Sequence, residues 1–70
     1  MDIEIHSEYI TLAQFLKKVD LISSGGEAKA FLANEQVYVN GEPEQRRGKK
    51  LYAGDRVLVF EEEYVLKAES

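Results

Sequence analysis

The sequence predicts an α+β fold in which two short helices pack on a small, mostly antiparallel, twisted β-sheet. Three observations predict it. Apolar residues recur at helical spacing between Leu12 and Val19. A second helical stripe follows the start Ser24-Gly25-Gly26-Glu27. From Val37 onward the pattern switches to period two and runs into Asn40-Gly41. Helices first and strands after them is the pattern of an α+β domain, not of alternating βαβ units.

Leu12, Phe15, Leu16 and Val19 stand at i, i+3, i+4 and i+7, which puts all four on one helix face. Thr11 precedes them and Gln14 follows three residues later, the pattern of a capping box; Ile10 and Phe15 hold the positions of a hydrophobic staple. A helix over 12–19 follows. Ser24 and Glu27 repeat the capping pattern, and Ala28, Phe31 and Leu32 supply the second inward stripe. The second helix should end near Asn34, a residue that tolerates left-handed backbone. Phe15 and Phe31 are expected to meet across the two helices.

Val37 and Val39 point one way and Tyr38 the other, as in a half-buried strand. Asn40-Gly41 is a strong hairpin signal, because both turn positions require positive φ. Residues 42–45 should return as an edge strand marked by Pro43. Gly54-Asp55 is a second turn, residues 56–60 and 64–66 are further strands, and Ile3–Ile5 adds one at the start. Glu61, Glu62 and Glu63 then fall at a turn.

Seventy residues fit one domain, 1–70, and the 44% hydrophobic content is that of a folded protein rather than a disordered one. The absence of cysteine excludes disulfides and thiolate metal sites. The N-terminus lacks the basic start and apolar run of a secretory signal, and no stretch approaches a membrane span, so a cytoplasmic protein without a membrane partner is expected. Catalytic material is scarce. His6 is the only histidine, with no nucleophile or carboxylate placed beside it by spacing, and reads as a partly exposed strand residue. No metal-ligand spacing, P-loop or dinucleotide fingerprint occurs, so neither an enzyme nor a cofactor is expected.

Binding is the better reading. The net charge is −4, yet Arg46, Arg47, Lys49 and Lys50 lie within five residues. Charge fades within about 8 Å at physiological salt, so a local basic site still attracts anions on an acidic protein. Arginine forks match phosphate oxygens, and lysine adds point charge. Gly25 and Gly26 open the second helix, where N–H groups lack helical partners and a phosphate can approach, with Lys29 one turn on. The alternative is a plain turn whose donors Glu27 already satisfies. Tyr38, opposite the valine face, is a candidate for stacking on a base.

Several segments together resemble a known family. Phe15-Leu16-Lys17, Leu21-Ile22, Ser24, Glu27-Ala28, Val37-Tyr38-Val39-Asn40-Gly41 and Gly54-Asp55 resemble the RNA-binding domain named for ribosomal protein S-four, over about residues 10–60. Ile10-Thr11-Leu12, Gln14 to Lys17, Ser24 to Lys29 and Arg46 to Leu51 are similar to its stand-alone YaaA-like branch. The resemblance implies the alpha-L RNA-binding motif and a cytosolic bacterial protein that binds structured RNA. Ribosomal RNA or a ribosomal subunit is the implied target, and a monomer the expected state. The implied RNA-binding residues are Lys17, Ser24, Gly25, Gly26, Lys29, Tyr38, Arg46, Arg47, Lys49 and Lys50. Gly25 stands where the broader family has arginine, which leaves that phosphate contact to Lys29. Asp20 and Glu35 stand where the family has glycine, so Asn34 is expected to supply the left-handed turn before the hairpin. A protein–protein adaptor, using the acidic surface against a basic partner, is the competing reading.

Overall fold

The computed structural model describes residues 1–69. Seven strands and two helices follow one another as β1 (Asp2–Ile5), β2 (Tyr9–Thr11), α1 (Leu12–Lys18), a 3-10 turn (Gly25–Glu27), α2 (Ala28–Asn34), β3 (Val37–Val39), β4 (Glu42–Pro43), β5 (Lys50–Tyr52), β6 (Arg56–Val59) and β7 (Glu62–Ala68). Five strands form one sheet in the order β1-β7-β6-β3-β4, and β2 pairs with β5 in a separate ribbon. All pairings are antiparallel except β1 with β7. The α+β class read from the sequence is the observed one.

Helix α1 begins as its capping pattern requires. Thr11 Oγ1 accepts from the Gln14 N–H at 3.2 Å, and Gln14 Oε1 accepts from the Thr11 N–H at 2.8 Å. It ends in a Schellman arrangement. The Leu21 N–H reaches the Leu16 carbonyl at 2.9 Å and the Asp20 N–H reaches Lys17 at 3.0 Å, with Asp20 left-handed at φ 61°. Asp20, at the position where the resemblance implied glycine, thus adopts the left-handed backbone that glycine favours.

The buried faces of the strands close the core. Val37, Val39, Val57, Val59, Tyr64, Leu66 and Ile5 pack beneath Leu12, Phe15, Leu16, Ala28 and Leu32, and Leu51 joins them from the ribbon. Two hairpins carry left-handed residues at both turn positions, Asn40-Gly41 (52° and 84°) and Phe60-Glu61 (52° and 64°). Both connect strands through two residues, the geometry of a type I′ turn.

Several expectations need correction. The second helix opens as a 3-10 turn over Gly25–Glu27, and its α-helical part starts at Ala28. Asn34 stays helical, with its side-chain amide donating to the Ala30 carbonyl, and Glu35 leaves in extended conformation at φ −120°. No left-handed residue is needed there, because the chain turns directly into β3. Phe15 does not pair with Phe31: it packs edge-on against Tyr64 at 5.3 Å, while Phe31 meets Phe60 at 5.7 Å. The returning edge strand is only Glu42–Pro43; the Glu44 N–H still donates to the Val37 carbonyl, and the Glu44 carboxylate then accepts from the Arg46 N–H. Only Glu61 of the glutamate run lies in the turn; Glu62 and Glu63 begin β7. His6 falls just beyond β1, exposed, with Nδ1 3.0 Å from Glu69 Oε2. Strands β2 and β5, three residues each, carry no alternation long enough to be read from sequence.

Candidate nucleic-acid interface

The basic segment after β4 is held by backbone, not left loose. The Leu12 N–H donates to the Lys49 carbonyl at 2.8 Å and the Ala13 N–H to the Arg47 carbonyl at 2.9 Å. These are two of the donors that the first turn of a helix cannot satisfy internally. The basic loop therefore caps α1, and its side chains are displayed around the start of that helix. A further bond from the Lys49 N–H to the Arg46 carbonyl, 3.1 Å, closes the loop on itself.

The four cations have different surroundings. Arg46 forms a bidentate pair with Glu44, Nε to Oε2 at 3.0 Å and Nη2 to Oε1 at 3.1 Å, and its backbone N–H also donates to Oε2. These Arg46 side-chain bonds hold the Glu44 carboxyl down at about 2, helped by the Arg46 N–H and by the Arg46 and Lys49 charges, against partial burial. Arg47 is exposed and makes no ion pair among the described residues. Lys49 is half-buried. Lys50 is the first residue of β5 rather than part of the loop, and its Nζ lies 4.9 Å over the Tyr9 ring.

Lys17 lies one turn beyond Ala13 on the same helix face and is exposed, in a groove with Ile10, Gln14 and Lys18 rather than in the one lined by Arg46, Lys49 and Lys50. Lys18 is its exposed neighbour.

The second predicted anion site looks different. Ser24, Gly25, Gly26 and Lys29 are all exposed. The Glu27 carboxylate, however, accepts from the Ser23 and Ser24 N–H groups, both at 2.9 Å. The Glu27 N–H is taken by the Ser24 carbonyl. An anion of the chain itself thus sits against the N–H groups just before this turn, whereas those of Gly25 and Gly26 donate none of the described hydrogen bonds. The 3-10 turn packs against α1, but no described hydrogen bond or ion pair joins it to the basic loop.

Tyr38 is half-buried in a groove with Arg56, Leu58 and Glu63 on the outer face of the sheet. Arg46, Lys49 and Lys50 line a different groove, together with Val39 from the inner face. The structure therefore does not bring Tyr38 to the basic loop.

The motif residues of the hairpin have a structural explanation. Asn40 Oδ1 accepts from the Arg56 N–H, and its amide donates to Asp55 Oδ1. Asp55 Oδ2 accepts from the Tyr52 N–H at 2.8 Å. The Asn-Gly turn and the later Gly-Asp turn are thereby knotted, which explains why the two occur together.

A family model described as the S4 domain matches residues 3–67, nearly the whole chain. The chain belongs to the S4 domain family. It is also 60% identical over 57 residues to a protein of Bacillus subtilis (strain 168) named probable ribosome maturation protein RlbA, covering 81% of this chain and 80% of that protein. In this S4 domain the basic loop is seated on the start of α1 through main-chain hydrogen bonds. Among the described residues no cluster of histidine, cysteine or carboxylates fits a metal ion, and no helix is long and apolar enough to cross a membrane.

Proposed function

We propose that this S4 domain is a single RNA-binding module that contacts structured RNA, with ribosomal RNA or a ribosomal particle as its target. It acts in the cytoplasm as a monomer and performs no catalysis. One observation carries the reading: the basic loop is locked onto the first turn of α1 while Arg47 in the loop and Lys17 farther along the helix stay exposed. A loop ordered in advance does not spend binding energy on becoming ordered. Phosphate contacts supply most of the affinity, and the fold of the RNA supplies the choice of target. The relative's name, a probable ribosome maturation protein, supports a ribosomal target.

Arg47, Lys17 and Lys49 are the main phosphate contacts in this reading. Arg46 chiefly fixes the loop, because Glu44 already engages its guanidinium. Ser24, Gly25, Gly26 and Lys29 are secondary, since the Glu27 carboxylate, held by the Ser23 and Ser24 N–H groups, places a negative charge beside their turn.

The test is Arg47→Glu in a tagged protein followed through ribosome gradients. Wild type should co-sediment with ribosomal particles and lose them on RNase treatment, and the variant should stay at the top of the gradient while folded. Co-sedimentation that survives RNase would favour a protein–protein adaptor instead.

A further inference from the structure

Beside the basic loop lies a pair of tyrosines that the phosphate reading does not use. Tyr9 on β2 and Tyr52 on β5 are directly opposite in the ribbon register, with ring centroids 5.8 Å apart and planes tilted by 46°. They stay 37% and 42% exposed, although a core with room for aromatics, holding Phe15 and Tyr64, lies behind them. Lys50 covers one ring, Tyr9, at 4.9 Å. Tyr52 instead lines a groove of about 660 Å³ together with Arg46, Lys49 and Lys50.

We infer that Tyr52 is a stacking platform for an unpaired RNA base whose flanking phosphates lie on Lys49 and Lys50. The inference rests on the RNA-binding reading above and deepens it: the target is a stem carrying an unpaired nucleotide. Three features of the groove favour this occupant. Lys49 and Lys50 complement phosphate; of the groove's three acids Glu44 is engaged by Arg46 and Asp55 by the Tyr52 N–H and the Asn40 amide, and Glu42 is exposed in the β3–β4 hairpin. Tyr52 is held firmly, because Asp55 fixes its backbone at 2.8 Å and Tyr9 packs against its ring. A rigid aromatic face beside a cationic track is the arrangement that binds single-stranded nucleotides by stacking. A paired stem offers no base to such a face, so the platform distinguishes an unpaired nucleotide from a continuous helix.

A purely structural role competes, since cross-strand aromatic pairs steady a short ribbon. The experiment separates the two with a short RNA hairpin of fully paired stem and the same hairpin carrying one unpaired fluorescent purine analogue. Wild type should prefer the second and quench its fluorescence. Tyr52→Leu keeps an apolar partner for Tyr9 but offers no aromatic face. It should weaken binding of the unpaired probe about 5- to 150-fold, the usual effect of losing one stacked base, and leave binding of the paired stem unchanged. Tyr52→Phe should retain the preference. Equal binding of both hairpins by wild type would overturn the platform and leave the phosphate reading standing. Loss of both hairpins in Tyr52→Leu, or retention of the preference, would also overturn it. Binding of neither hairpin by wild type at low salt would sink the phosphate reading and the platform with it.

Discussion

The Glu44 carboxyl and the Arg46 guanidinium decide how the basic loop is held. Glu44 accepts both side-chain and main-chain bonds from Arg46, and its side chain is only 11% exposed against 74% for Arg46. The pair therefore looks less like a loose surface ion pair than like a clamp that closes the turn. Its pH dependence follows from the direction of the shift. The carboxyl is lowered from 4.5 to about 2 in the folded protein, so its stabilisation is fully present above about pH 4.5 and lost as pH falls toward 2. Carboxyl resonances followed by NMR should show Glu44 titrating below the other glutamates, and the Arg46 amide should exchange faster only in that acidic window. Glu44→Gln should raise Arg46 amide exchange already at neutral pH. An ordinary midpoint for Glu44 would mean that the clamp does not form in solution.

At the scale of the elements, two features set stability. The first is the end of α1, where Asp20 is left-handed and sits beside carbonyls that carry the negative end of the helix dipole. Asp20→Gly removes both costs and should stabilise by about 1 kcal/mol, which raises the melting temperature by about 4–8 °C in a domain of this size. No gain would show that Asp20 has compensating contacts with Lys17 or Lys18. The second is the unequal use of the two helices. Phe15 is fully buried against Tyr64, whereas Phe31 is half-buried against the exposed Phe60. Phe15→Ala should cost about 3–5 kcal/mol and unfold much of the population, while Phe31→Ala should cost roughly half as much. Chemical denaturation of both variants measures the difference, and equal losses would contradict the packing.

For the whole molecule, a net charge of −4 coexists with exposed cations on the basic loop and on α1. If the domain binds RNA as proposed, long-range attraction is therefore weak and affinity depends on close phosphate contacts. Arg47→Glu and Lys17→Glu should each lower the slope of log K against log salt by about 0.9, borrowing the value for duplex DNA, and the double variant should lower it by the sum. A slope unmoved by Lys17→Glu would confine the surface to the loop. The acidic strands contribute solubility, not binding, in this reading.

Much of this was legible in the chain because it depends on neighbours in sequence. Thr11 and Gln14 cap a helix through local bonds, the stripe from Leu12 to Val19 selects its buried face, and Asn40-Gly41 makes a tight turn wherever strands flank it. The basic run at 46–50 is visible in composition alone. Other features belong to contacts between distant residues, on which sequence spacing is silent. Tertiary packing gave Phe15 to Tyr64 and Phe31 to Phe60, and set Tyr9 opposite Tyr52 across a ribbon too short to show a period. It also turned the main chain of the basic loop toward the free N–H groups of α1. A helix start must satisfy its donors, and here the partner was chosen by the fold, about thirty-five residues away along the chain.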